Sequence, residues 1–218
     1  MTARHALDLS LYLVTDTALC GERGVAATVE AAVRGGATAV QVRAKDSSAA
    51  EALQLLLAVA DACDGHAQVL MNDRVDVFLA ARARGAAVHG VHVGQSDLPA
   101  VDVRAIVGEA AIVGLTASSL VEVEAANALP ADTVDYLGIG VIRATTTKPD
   151  HPEPIGVHGF GERRTLSRFP AVAIGGIGFD DLRPLRDAGA DGVAVVSALC
   201  ASSDPERSAR ELRAEWER

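Results

Sequence analysis

The chain has 218 residues, 49% of them hydrophobic and 22% charged, which suits one sizeable core and the length of a single α/β barrel over 1–218. A formal net charge of −9 excludes a generic nucleic-acid or membrane surface, and the sequence shows neither a membrane-length apolar run nor a signal-like start. Cys20, Cys63 and Cys200 form no CxxC or zinc pattern, so reduced thiols and a cytoplasmic location are expected; with aromatic residues at 3%, the core should be aliphatic.

The hydrophobic period switches repeatedly along the chain. Leu11-Tyr12-Leu13-Val14 reads as a strand, and residues 25–34 as a helix. Ala39-Val40-Gln41-Val42 is a second strand, followed by a helix to Cys63 with Ser47 or Ser48 as N-cap and Glu51 in its first turn. Val69-Leu70-Met71 precedes a helix over 75–84, and Gly90-Val91-His92-Val93 precedes one over 101–107. Ile112-Val113-Gly114-Leu115 leads to a helix over 120–128, and Tyr136-Leu137-Gly138-Ile139 leads to a long loop and a weak helix over 158–168. Ala171-Val172-Ala173-Ile174 precedes a helix over 180–188, and the strand 192–196 precedes a final helical segment that includes Pro205 to Trp216. About eight strand–helix units without a clear linker predict a closed (β/α)8 TIM barrel. The rival, a doubly wound open sheet, usually carries Gly-x-Gly-x-x-Gly after its first strand, and none follows Val14.

In a barrel the loops after the strands share one rim, so residues far apart in sequence should meet there. Gln41, Arg43 and Lys45 follow the second strand, Asn72 and Asp73 the third, Gln95 and Asp97 the fourth, and Thr116 the fifth. Thr145, Thr146, Thr147 and Lys148 follow the sixth, Gly175 and Gly176 the seventh, and Val196 and Ser197 the eighth. Lysine occurs only at Lys45 and Lys148, beside eighteen arginines. Its compact, flexible charge suits an anionic group that changes shape during reaction. Asp73 and Asp97, ending adjacent strands, suit a hard cation such as Mg2+ better than Zn2+, because no His or Cys cluster accompanies them. Each acid would equally serve as a helix N-cap. The Gly175-Gly176 pair and Ser197 stand where barrels often bind phosphate, and 140–157 is long enough for a lid. His89 and His92 read as structural or hydrogen-bonding residues, Glu122 and Glu124 as a solvated helix face, His151 and His158 as solvent-exposed, and Trp216 as packing for the last helix.

At these residues the chain resembles the thiamine-phosphate synthase family, over nearly its whole length. The resemblance runs through 12–16, Gln41-Val42-Arg43-Ala44-Lys45-Asp46, Asn72-Asp73-Arg74 and 90–99, then Gly114-Leu115-Thr116, 135–140, 145–148, 173–177 and Val195-Val196-Ser197. It implies a (β/α)8 barrel and a Mg2+-dependent transferase with two small-molecule substrates, 4-amino-2-methyl-5-hydroxymethylpyrimidine diphosphate and a thiazole phosphate. The products are thiamine phosphate and diphosphate; a carboxylated thiazole phosphate is also taken and then loses CO2. By the same resemblance Asp73 and Asp97 hold Mg2+. Gln41, Val42, Arg43, Ala44, Lys45, Asn72, Thr116 and Lys148 contact the pyrimidine diphosphate, with Arg43, Lys45 and Lys148 catalytic. Thr145, Thr146, Thr147, Gly176, Val196 and Ser197 receive the thiazole phosphate. Ala44 stands where the family usually has Glu, Thr116 where Ser is common, and Val141 and Arg143 where it has Pro and an aromatic residue, which bears on loop closure and thiazole affinity. Two other readings compete: a thiazole tautomerase on the same barrel, which needs no diphosphate site, and a non-catalytic phosphate-binding module. The sequence leaves a homo-oligomer open.

Overall fold

The structure of the protein, a computed structural model, describes residues 3–145 and 153–218. In chain order the elements are β1 (Leu11–Val14), α1 (Thr17–Cys20), α2 (Val25–Arg34), β2 (Ala39–Val42), α3 (Ala49–Cys63), β3 (Gln68–Asn72), α4 (Val75–Ala83), β4 (Gly90–Val93) and α5 (Ala100–Val107). There follow β5 (Ile112–Thr116), α6 (Leu120–Asn127), β6 (Tyr136–Gly140), α7 (Gly156–Leu166), β7 (Ala171–Ile174), α8 (Leu182–Asp187), β8 (Gly192–Val195), α9 (Ser197–Cys200) and α10 (Pro205–Glu217). All strand pairs are parallel and neighbours in sequence pair in order; β8 returns to β1, with Tyr12 beside Ala194, so the sheet is a closed barrel.

Alternation along each strand sorts the side chains into two layers. Tyr12, Val14, Ala39, Leu70, Ile112, Tyr136, Val172 and Ala194 point inward and pack together inside the barrel. Leu13, Val40, Val69, Met71, Val91, Val113, Leu137 and Ala173 point outward into the larger apolar layer beneath the helices. Strands buried on both faces explain why they read as continuous apolar runs. Each fully buried aliphatic side chain contributes about 1.5–3 kcal/mol, so most of the stability resides in this outer layer.

Helix starts follow their caps. Ser48 accepts from the Glu51 N–H while Glu51 reaches back to the Ser48 N–H at 2.8 Å, and Ser119 and Glu122 repeat the arrangement at α6. Asp204 accepts from the Arg207 N–H and Pro205 opens α10, whose Trp216 is buried as expected. Two one-turn helices were not legible in the apolar period: α1, capped by Asp16, and α9, opened by Ser197. The helix expected over 180–188 is a 3-10 turn, Phe179–Asp181, followed by the short α8, which contains Pro184. Cys20, Cys63 and Cys200 are free and buried, and no described helix is long and apolar enough to cross a membrane.

Gly114 sits inside the barrel where a Cβ would lie 2.3 Å from Tyr136 Cζ and 2.4 Å from His92 Nδ1. Neither ring has room to retreat, because both side chains are fully or nearly fully buried. Gly114→Ala is therefore expected to cost about 1–3 kcal/mol by overpacking, read as a lower urea midpoint at unchanged slope; an unaltered midpoint would contradict the packing described.

Candidate active site

A cavity of about 820 Å³ opens at the C-terminal ends of the strands. Gln41, Arg43 and Lys45 line it, whereas Val42 and Ala44 point the other way and are buried in the outer apolar layer. Any contact between Val42 or Ala44 and a ligand is thereby left to their backbone. Arg43 is aimed by the end of β1: its N–H donates to Thr15 Oγ1 at 3.0 Å, and Nη1 lies 3.4 Å from Asp16 Oδ2. Asp16 divides its carboxylate between this guanidinium and the Leu19 N–H that it caps.

Asp73 and Asp97 come together from the ends of β3 and β4. Burial, and then the charge and hydrogen bond of Asp97, push the Asp73 carboxyl up to about 6, against the opposing pull of Asn72 and Lys45. Neither acid caps the helix that follows it. The cap position of α4 is Arg74 and that of α5 is Pro99, and Asp97 Oδ2 instead accepts the Gly94 N–H at 2.7 Å. Asp73 holds a left-handed backbone at φ 60, a conformation that costs a non-glycine residue about 1 kcal/mol or more. Two carboxylates sharing a part-buried corner, with oxygen donors and no His or Cys beside them, form a donor set that fits Mg2+. Among the described residues no third His, Cys, Asp or Glu joins them.

On the opposite side of the mouth, Thr145, Gly176, Val196 and Ser197 line the cavity; Thr146, Thr147 and Lys148 lie outside the described residues, as does His151. Gly176 has φ 66, and a Cβ there would lie 2.6 Å from Arg143 O and 2.7 Å from Ala144 O, so the exit of β6 crosses directly over the Gly-Gly turn. Arg143 fastens that crossing: its N–H donates to Gly175 O at 2.9 Å, and its guanidinium meets Asp181 Oδ1 from Nε at 3.1 Å and Nη2 at 2.8 Å. The Arg143 departure thus gives this segment an ion pair to the β7 loop, while Val141 packs its side chain against Gly175.

Several lining residues were missed or misread from sequence. Glu122 is no solvated face: its Oε2 accepts from the Ser118 and Ser119 N–H groups at 2.7 and 2.8 Å at the cavity edge, while Glu124 is exposed. Arg163, whose Nε donates to Ser118 O at 2.6 Å, also lines the cavity. His158 stands exposed beside Glu162, and His89 Nδ1 accepts the Val69 N–H at 3.0 Å, a structural role. The larger omission is the cavity floor. Gln41 Nε2 lies 3.0 Å from Tyr12 Oη, Tyr12 Oη 2.8 Å from Tyr136 Oη, Tyr136 Oη 2.9 Å from His92 Nδ1, and His92 Nε2 3.0 Å from Thr116 Oγ1. The signal was available: the chain has two tyrosines, and strand alternation turns both of them, with His92, inward. Burial pushes the Tyr12 phenol up to about 12 and raises that of Tyr136 well above its ordinary value. It depresses His92 to about 4, with the Asp97 charge opposing weakly, so the imidazole is neutral at physiological pH.

Cations and paired carboxylates around a deep cavity, on the strand-end rim of a closed (β/α)8 barrel, define an enzyme-type site for anionic small molecules. The family model described as thiamine monophosphate synthase matches residues 11–199. The thiamine-phosphate synthase of Corynebacterium efficiens is 48% identical over 96% of this chain and 95% of its own, and that of Azorhizobium caulinodans is 46% identical over the same shares. The solved thiamine phosphate pyrophosphorylase of Pyrococcus furiosus superposes with a TM-score of 0.82 at 32% identity, covering 96% of both chains. The chain belongs to the thiamine monophosphate synthase family.

His92 makes the floor sensitive to acid. An unfolded histidine titrates near 6.5, so between about pH 6.5 and 4 the unfolded chain takes up a proton that folded His92 refuses, and stability rises with pH across that window. The full effect is about 3 kcal/mol, lost as pH falls. Asp73, raised in the folded state, contributes the opposite slope in the same window. His92→Gln should flatten the His92 part while leaving that of Asp73, so the difference between wild-type and variant urea stabilities should widen from about pH 4 to 7. Parallel profiles would contradict the buried neutral imidazole.

Proposed function

We propose that this chain is a thiamine-phosphate synthase, joining 4-amino-2-methyl-5-hydroxymethylpyrimidine diphosphate to a thiazole phosphate, or its carboxylated form, with release of diphosphate. The observation that carries the reading is the convergence of Arg43, Lys45, Asp73 and Asp97 on one rim of a barrel whose family membership spans nearly the whole chain. In this reading the pyrimidine CH2–O bond breaks with its electron pair on the departing diphosphate, and the thiazole nitrogen forms the new bond to that carbon. Mg2+, held by Asp73 and Asp97, would supply charge neutralisation for the leaving group.

The chain's own residues do the rest. Arg43, oriented by Asp16, and Lys45 bind diphosphate oxygens; Lys148 would approach the same anion from the β6 loop. Gln41, Asn72 and Thr116 orient the pyrimidine so that its CH2 faces the thiazole nitrogen. Thr145, Thr146, Thr147, Gly176, Val196 and Ser197 receive the thiazole phosphate, with backbone exposed at the Gly-Gly turn. The three free, buried thiols support a cytoplasmic setting.

Mixing both substrates with Mg2+ is expected to yield thiamine phosphate and diphosphate in equal amounts. A protein that binds either substrate without making product would overturn the reading in favour of a binding module. Lys148→Ala should lower turnover roughly 10²–10³-fold, about 3–4 kcal/mol of barrier, and near-normal turnover would remove the role given to that ammonium. Asp73→Ala should shift the Mg2+ titration to higher concentration; a superimposable titration would count against the metal corner.

A further inference from the structure

The hydrogen-bonded chain under the cavity has a direction, fixed by counting its hydrogens. Gln41 Nε2 is only a donor, so Tyr12 Oη accepts from it at 3.0 Å. Tyr12 keeps one hydrogen of its own, and its remaining partner is Tyr136 Oη at 2.8 Å. Leaving that hydrogen unpaired in a fully buried hydroxyl would forfeit the whole desolvation cost, so Tyr12 donates to Tyr136. Tyr136 then has its own hydrogen for His92 Nδ1, 2.9 Å away, which must carry a lone pair. A neutral imidazole with a lone pair on Nδ1 bears its hydrogen on Nε2 and donates it to Thr116 Oγ1 at 3.0 Å. Thr116 lines the cavity, has no second side-chain partner among the described residues, and therefore turns its own hydrogen to whatever fills the space above.

We infer that Tyr12, Tyr136 and His92 are positioning residues that fix His92 as the Nε2–H tautomer and lock Thr116 Oγ1 as a hydrogen-bond donor to an acceptor atom of the bound pyrimidine diphosphate. The ligand in this statement rests on the synthase reading; the tautomer does not. Space for the chain is built into the sequence, since a Cβ at Gly114 would collide with both the Tyr136 and His92 rings, and one at Gly138 would come within 3.1 Å of His92 Cε1. Burial also keeps the imidazole neutral, which a chain running in one direction requires.

The tautomer is read on the ligand-free, histidine-15N-labelled chain by two-bond proton–nitrogen correlation spectra. Wild-type His92 is expected to show the Nε2–H pattern. Gln41→Glu, ionised in alkaline buffer, offers only acceptors to Tyr12, so every hydrogen must reverse and His92 should change to the Nδ1–H pattern. In the synthase assay Tyr136→Phe should raise KM for the pyrimidine diphosphate roughly tenfold with KM for the thiazole phosphate unchanged. An Nδ1–H wild-type His92, a tautomer unmoved by Gln41→Glu, or equal rises in both KM values would overturn the inference. A wild-type chain with the expected tautomer but no synthase turnover would instead remove the ligand assignment and the synthase reading together, leaving the wiring intact.

Discussion

Backbone hydrogen bonds between β8 and β1, with Leu11 beside Val193 and Tyr12 beside Ala194, turn a twisted sheet into a ring. That closure forces the exits of all the strands around one mouth. Residues separated by more than a hundred positions, such as Tyr12 and Tyr136 or Lys45 and Ser197, come to share a cavity for this reason alone. It also leaves the interior no lipid-like void. Inward side chains must fill it, and Tyr12, Gln41, His92 and Tyr136 meet beneath the mouth beside aliphatic neighbours such as Val14, Val172 and Ala194.

The mouth reconciles a chain of net charge −9 with anionic ligands. Arg43 is held by one carboxylate, Asp16, which also caps a helix, so its direction is set before anything binds. Asp73 and Asp97 share one corner of the mouth, where burial and then the charge and hydrogen bond of Asp97 raise the Asp73 carboxyl, and Asp73 sits on a left-handed backbone. Across the cavity, Gly175 and Gly176 leave room for the β6 exit, and the Arg143–Asp181 pair pins it there.

Much of this was legible in the sequence. The strands Leu11–Val14, Ala39–Val42, Gly90–Val93 and Ala171–Ile174 stand at the positions expected, because burial on both faces writes a strand as an unbroken apolar run bounded by turn residues. Asp73, Asp97, Arg43, Lys45 and Thr116 line the cavity for the related reason that polar residues at or just after the ends of such runs lie on the rim, while Gln41 reaches it as an inward-pointing residue of β2. What escaped depends on partners in other units. Glu122 reads as one more helix-surface acid until the Ser118 and Ser119 amides are seen to close on it. His92, Tyr12 and Tyr136 read as separate strand residues, since nothing local announces that their side chains join end to end. Val42 and Ala44 belong to the matching segment, yet pleating turns them into the helix-facing layer.

A crystal structure of the chain grown with thiamine phosphate, diphosphate and Mg2+ tests whether the rim residues act together. Diphosphate density is expected between Arg43, Lys45 and a metal on Asp73 and Asp97, with the pyrimidine ring over the Tyr12–Tyr136–His92 floor and the thiazole phosphate at Gly176 and Ser197. Product bound elsewhere on the barrel, or a metal held away from both aspartates, would contradict it.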